Sequence, residues 1–142
     1  MRSRIQRLWY FRKSLTGAFV MLALLRIALA VLPYRNVRRA IAASGERFPE
    51  RRMHLIAYET EMVWAIERVG RYVVGKKPCL PQALALQWFL RRKGIVTSLH
   101  IGVKKDDTKG IAAHAWLEKN GRVLIGGSDS PADFERLETV NS

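Results

Sequence analysis

The sequence has little with which to bind a metal or to cross-link itself. It holds one cysteine, Cys79, in 142 residues, which excludes an internal disulfide framework and any multi-cysteine zinc site. His54, His100 and His114 are the only histidines and are too widely spread for a local ligand motif, so no metal or other cofactor is expected. There is no internal repeat and no low-complexity tract. Acidic residues are scarce: 12 Asp and Glu stand against 25 Lys and Arg, a net charge of +13. The deficit is uneven. Residues 1–52 carry twelve basic residues with only Glu46 and Glu50 as acids, a net +10, and the remainder carries +3. Such a concentration attracts an acidic peptide, lipid headgroups or nucleic acid. Aromatic residues interleave with basic ones only at Trp9, Tyr10 and Phe11, and no nucleic-acid motif is present, so nucleic acid is not an expected partner.

Also missing is an uninterrupted apolar run of membrane-spanning length. Residues 1–16 are basic, with Ile5, Leu8, Trp9 and Leu15 near one helical face, and the apolar run Gly17 to Leu32 follows. That order resembles a signal peptide or an anchor. The run is about 16 residues, short of the ~20 that cross a bilayer. Arg26 interrupts it, at a cost of ~2.5–3.5 kcal/mol at the bilayer centre. The expected state is a buried or half-buried helix ended by Pro33, with interfacial membrane contact and a cleaved signal or span as the competing readings. One unpaired cysteine does not suggest an oxidising compartment. A cytoplasmic location follows, with the inner membrane face within reach of the basic N-terminus.

The remaining chain shows two periodicities. Tyr34–Ala43 reads as a short helix stopped by Ser44-Gly45, and the polar stretch Glu46–Arg52, with Pro49, is the best internal boundary. It separates a basic helical region, 1–52, from a second unit, 53–142. Leu55, Tyr58, Met62, Ile66, Val69 and Val73 recur every three or four residues, a helical stripe. After Gly75–Pro78 a second helix begins at or just after Cys79, with Pro81 in its first turn, Arg91 to Lys93 in its last and Gly94 as its stop. The period then changes to two. Val96–Val103, Ile111–Glu118 and Arg122–Gly127 read as strands, with Ala112, His114, Trp116 and Glu118 on one face and Asn120-Gly121 as a hairpin turn. The fold class is therefore α+β: N-terminal helices, then a helix packed on an antiparallel sheet.

Cys79 carries the chemical interest. A thiol acts as a nucleophile only as thiolate, which a helix N-terminus or a neighbouring imidazolium favours. Cys79 occupies such a helix start, beside Lys76 and Lys77. His114 lies mid-strand between Ala113 and Ala115, with room for its ring. A third group normally orients such a histidine. Counting back from the hairpin turn puts Gly127 opposite His114 and Gly126 diagonal to it. Asp129, just past the strand end, is the best acid for the role, with a backbone carbonyl or a water as substitute. Counting around a 104–110 loop centred on Asp107 puts His100 opposite His114, as a supporting group. Trp116 and Trp88 are candidate walls of a substrate pocket.

The run KPCLPQALALQWFLRRKGIVTSLHIGV and the later IAAHAWLEKNGRVLIGG resemble the transglutaminase-like leader peptidases of lasso-peptide biosynthesis, over residues 77–127. The resemblance implies a papain-like cysteine protease with Cys79 as nucleophile and His114 as base. It implies removal of the leader from a ribosomally made precursor, delivered by a small leader-recognition carrier protein, before an ATP-dependent cyclase closes the ring. The family's usual third residue, an aspartate about 12 residues after the histidine, falls on Gly126 here. The alternatives are transglutaminase-type acyl transfer and a non-catalytic basic binding protein.

Overall fold

The computed structural model describes residues 4–45, 56–75, 79–108, 110–127 and 134–141. Four helices precede a sheet: α1 (Arg4–Val31), α2 (Tyr34–Gly45), α3 (Ile56–Val73) and α4 (Cys79–Arg92), then β1 (Ser98–Asp106), β2 (Gly110–Lys119), β3 (Arg122–Ile125) and β4 (Glu135–Asn141). The sheet is antiparallel in the order β3-β2-β1-β4.

α4 is the central element. Pro81 through Gln87 and Leu90 are all buried, the pattern of a helix enclosed on every side. It meets α1, α2 and α3 and also the sheet. Its C-terminus closes in a Schellman motif. The Ile95 N–H donates to Leu90 O (3.0 Å) and the Gly94 N–H to Arg91 O (2.9 Å), with Gly94 at φ +73°. Ile95 and Leu90 are both buried, adding the apolar contact that accompanies the motif.

The expected helices over 1–16 and 17–32 are one. Ser14, Thr16 and Gly17 do not break α1, and the Thr16 hydroxyl donates back to Arg12 O (2.7 Å), which satisfies it within the helix. The candidate span consequently covers Phe11–Val31, 21 residues with an 18-residue window of mean hydropathy 2.1, long enough by length and composition to cross a bilayer. One side of α1 is nevertheless built into the protein. Ala18, Leu22 and Leu25 join Val37 and Ile41 of α2, Met62 and Ile66 of α3, and Leu84 and Leu86 of α4 in one core. α1 is tied to α3 by the Ser14 hydroxyl donating to Glu61, by Phe11 edge-on to Trp64 (5.4 Å), and by the Arg26 guanidinium donating to Val73 O. Arg26 thus meets a helix C-terminal carbonyl, where a cation suits the helix dipole.

The sheet departs from the expected pattern in three places. First, β1 and β2 run on to Asp106 and Gly110, so their turn centres on Thr108 rather than Asp107. The cause is the Asp106 carboxylate, which accepts from the Thr108 N–H (2.9 Å) and hydroxyl (2.7 Å) and fixes a tight turn. Second, the Asn120-Gly121 turn sets Lys119 opposite Arg122 as expected, both turn residues having positive φ. The register then slips between Leu117 and Glu118, leaving Leu117 opposite Ile125. Third, β4 completes the sheet beside β1. Its sequence, ERLETVN, has no apolar alternation, and Leu137 is exposed.

Candidate active site

Cys79 is the first residue of α4 and is partly buried. A helix start presents unpaired N–H groups to whatever sits there. The Leu80 and Ala115 N–H groups both donate to the sulfur, and the His114 ring hydrogen-bonds it. Burial pushes the thiol up. The His114 bond, the Ala115 N–H, the His114 charge and the Leu80 N–H pull it down and prevail, so Cys79 lies below the ordinary thiol value. That direction enriches the thiolate at neutral pH.

His114 stands on β2, 9% exposed. Its Nε2 bonds the Gly126 carbonyl oxygen. A carbonyl only accepts, so Nε2 carries a proton and Nδ1 is the nitrogen left for Cys79. This tautomer lets neutral His114 take the proton of the thiol. The orienting group is therefore the main chain, at the position where the family resemblance expects an aspartate. Gly126 can do this because of its backbone. It sits at φ +84°, and a Cβ there would lie 2.5 Å from Ala115 O and 2.9 Å from Trp116 Cβ. An aspartate has no room. Asp129 lies outside the described residues.

His100 is not opposite His114. Moving the turn centre to Thr108 pairs His100 with Trp116 and His114 with Gly102. Trp116, fully buried, stacks on both histidines, 5.5 Å from His100 and 6.0 Å from His114 between ring centroids, with interplanar angles of 23° and 19°. Its indole N–H donates to Glu118 Oε1 (2.9 Å). Glu118 also takes the Arg136 guanidinium (3.3 Å) and lies 3.2 Å from His100 Nε2. Burial lowers the His100 pKa from 6.5. Glu118 opposes that shift and Arg136 adds to it, so the ring is neutral at neutral pH. Phe134 meets the His114 ring at 5.2 Å. A Cβ on Gly102 would reach 2.8 Å from Phe134 Cβ and 3.1 Å from the Trp116 ring, so the strand opposite His114 must be bare for these rings to close over it.

Cys79 and His114, two residues singled out from the sequence, thus meet. Trp116, stacked on both rings, joins His100 to the pair. Of the two tryptophans, Trp116 is at the site. Trp88 is nine residues along α4 from Cys79, roughly 13 Å away, packed on Phe89 (5.0 Å) and under Arg92 (4.6 Å). Of the substitutes expected for a third side chain, the backbone carbonyl is the one present, and it belongs to Gly126; Phe134 beside the ring and Glu118 as the anchor of Trp116 are not among the expected groups. The alternation of His114, Trp116 and Glu118 on one strand face was the available signal for the last. Among the described residues, no group of three or more His, Cys, Asp or Glu could hold a metal ion.

The family model described as "Transglutaminase-like superfamily" matches residues 19–139, which takes in the C-terminal part of α1, all of α2 to β3, and β4 except its last two residues. No curated relative and no solved structure matches the chain.

Proposed function

From the premise that the chain belongs to the transglutaminase-like superfamily, whose fold implies cysteine-protease-like catalysis, we propose that it is a peptidase. It removes the leader from a ribosomally synthesised lasso-peptide precursor. One observation carries the chemistry: the Cys79 sulfur, at a helix N-terminus, bonds a His114 ring whose other nitrogen is held by Gly126 O. The substrate class rests on the resemblance of residues 77–127 to leader peptidases.

The Cys79 thiolate attacks the carbonyl carbon of the last leader residue. The Cys79 backbone N–H at the helix start is one donor for the oxyanion that forms. The tetrahedral intermediate collapses with cleavage of the C–N bond, and His114 gives its proton to the departing core-peptide amine. His114 then takes a proton from water, whose oxygen attacks the thioester and frees the leader carboxylate and the thiol. Gly126 O keeps the imidazole in the required tautomer throughout, and Asp129 is retained as a second orienting candidate from its place in the sequence, just past the third strand. A carrier protein delivers the precursor and an ATP-dependent cyclase receives the core peptide.

Incubating precursor and carrier with wild-type, Cys79→Ala and His114→Ala chains tests this. Both substitutions are expected to abolish cleavage, and Asp129→Ala to slow it less. Persistent cleavage by Cys79→Ala contradicts the proposal. A product carrying a transferred amine in place of a free leader carboxylate, read by mass spectrometry, would identify acyl transfer instead.

A further inference from the structure

We propose that the outer face of α1 is a docking surface for an anionic lipid bilayer, on which the protein lies without spanning. The helix has two unlike sides. Ala18, Leu22 and Leu25 are buried in the core. Opposite them, Val20, Leu24, Ile27 and Val31, spaced four, three and four, are all at least half exposed, and Phe19 is exposed beside them. Only 17% of its 18-residue apolar window is buried, whereas the core helix of a soluble protein of this hydropathy is mostly enclosed.

The charges are arranged to suit anionic headgroups. The one cation inside the apolar run, Arg26, is engaged with Val73 O of α3, which leaves the outer stripe uncharged. Cations gather at both of its ends. Arg12 and Lys13 are exposed about two turns before it, and Arg35 and Arg39 are exposed on α2, just past Pro33. At the first of these ends Trp9, Arg12, Lys13, Thr16 and Gly17 line an open surface depression, and the Arg12 guanidinium lies 5.6 Å over the Trp9 ring. An aromatic ring with two cations at the end of an apolar stripe suits the headgroup level, where tryptophan and basic residues collect. The residues 1–52 that contain this surface carry a net +10. Spanning would require stripping Ala18, Leu22 and Leu25 from the core, whereas lying in the interface leaves every one of those contacts intact.

Co-sedimentation of the full chain with vesicles tests the proposal. Vesicles containing phosphatidylglycerol are expected to bind it, with binding roughly tenfold weaker to pure phosphatidylcholine and falling as salt rises. Leu24→Gln with Ile27→Gln, and separately Arg35→Glu with Arg39→Glu, are each expected to weaken binding about tenfold while the far-UV circular dichroism melt is unchanged. Alkaline carbonate is expected to release the protein. Retention through the carbonate wash would make α1 a span and overturn the proposal. Equal sedimentation of the folded Leu24/Ile27 variant would overturn it too. So would absence of vesicle binding combined with loss of carrier recovery in that variant, which would assign the face to a protein partner.

Discussion

The Gly126 carbonyl holds the His114 imidazole by its Nε2–H, and this main-chain contact stands where a side-chain carboxylate is expected. Gly126 is therefore not a neutral replacement. Installing a carboxylate by Gly126→Asp should harm the site, because residue 126 lies at φ +84° with a Cβ position 2.5 Å from Ala115 O. Gly126→Ala and Gly126→Asp are each expected to cost about 1–3 kcal/mol of stability. Both should also slow cleavage, since relieving the clash moves the carbonyl. Thermal melts and cleavage rates on the two variants check this.

Trp116 links His114 to Glu118. The indole stacks on the base and is itself anchored by the carboxylate. Glu118→Gln can still accept the indole N–H and should retain most activity. Trp116→Ala removes a fully buried ring, costing about 3–5 kcal/mol, and frees the imidazole. Comparing kcat with KM in Trp116→Phe, which keeps a ring and loses the N–H, separates positioning from bulk: a fall in kcat at unchanged KM is the expected result.

Lys119 and Arg122 flank the hairpin turn and both reach Glu59 of α3, each at 2.5 Å, with Glu59 nearly fully buried. Glu59→Ala leaves the largely buried Lys119 ammonium without its partner and is expected to cost about 3–5 kcal/mol. Arg122→Ala, whose side chain is mostly exposed, should cost about 1 kcal/mol or less. Urea unfolding of the two variants distinguishes them.

His100 supplies a pH dependence. Its folded-state pKa is below 6.5 because burial outweighs the attraction of Glu118. As pH falls, the unfolded chain takes up this proton first. The contribution to stability is complete above 6.5 and is lost as pH falls through the folded value. The melting temperature should drop through that window, and His100→Gln should flatten the drop.

The helix–strand order and the reactive pair were legible because they rest on local signals. Pro81, Gly94 and the basic last turn mark α4, and the alternation around His114 marks β2. What was not legible depends on register and on non-local pairing. A single Asx-type bond at Asp106 moves the turn by one residue and changes the partner of His114 from His100 to Gly102. The slip between Leu117 and Glu118 breaks the count from the hairpin that had put Gly127 opposite His114. β4 is polar and held through its pairing with β1, so no hydrophobic period announces it.

Catalysis by this pair requires Cys79 to be a thiolate held by His114. The rate of carboxamidomethylation of the sole cysteine by iodoacetamide at about pH 6, in wild-type and His114→Ala chains, measures this directly. The wild-type thiol should react well above the rate of a free cysteine at that pH, and His114→Ala should fall back toward it. Equal rates in the two chains, or a wild-type thiol no faster than a free one, would contradict the assignment of Cys79 and His114 as a catalytic pair.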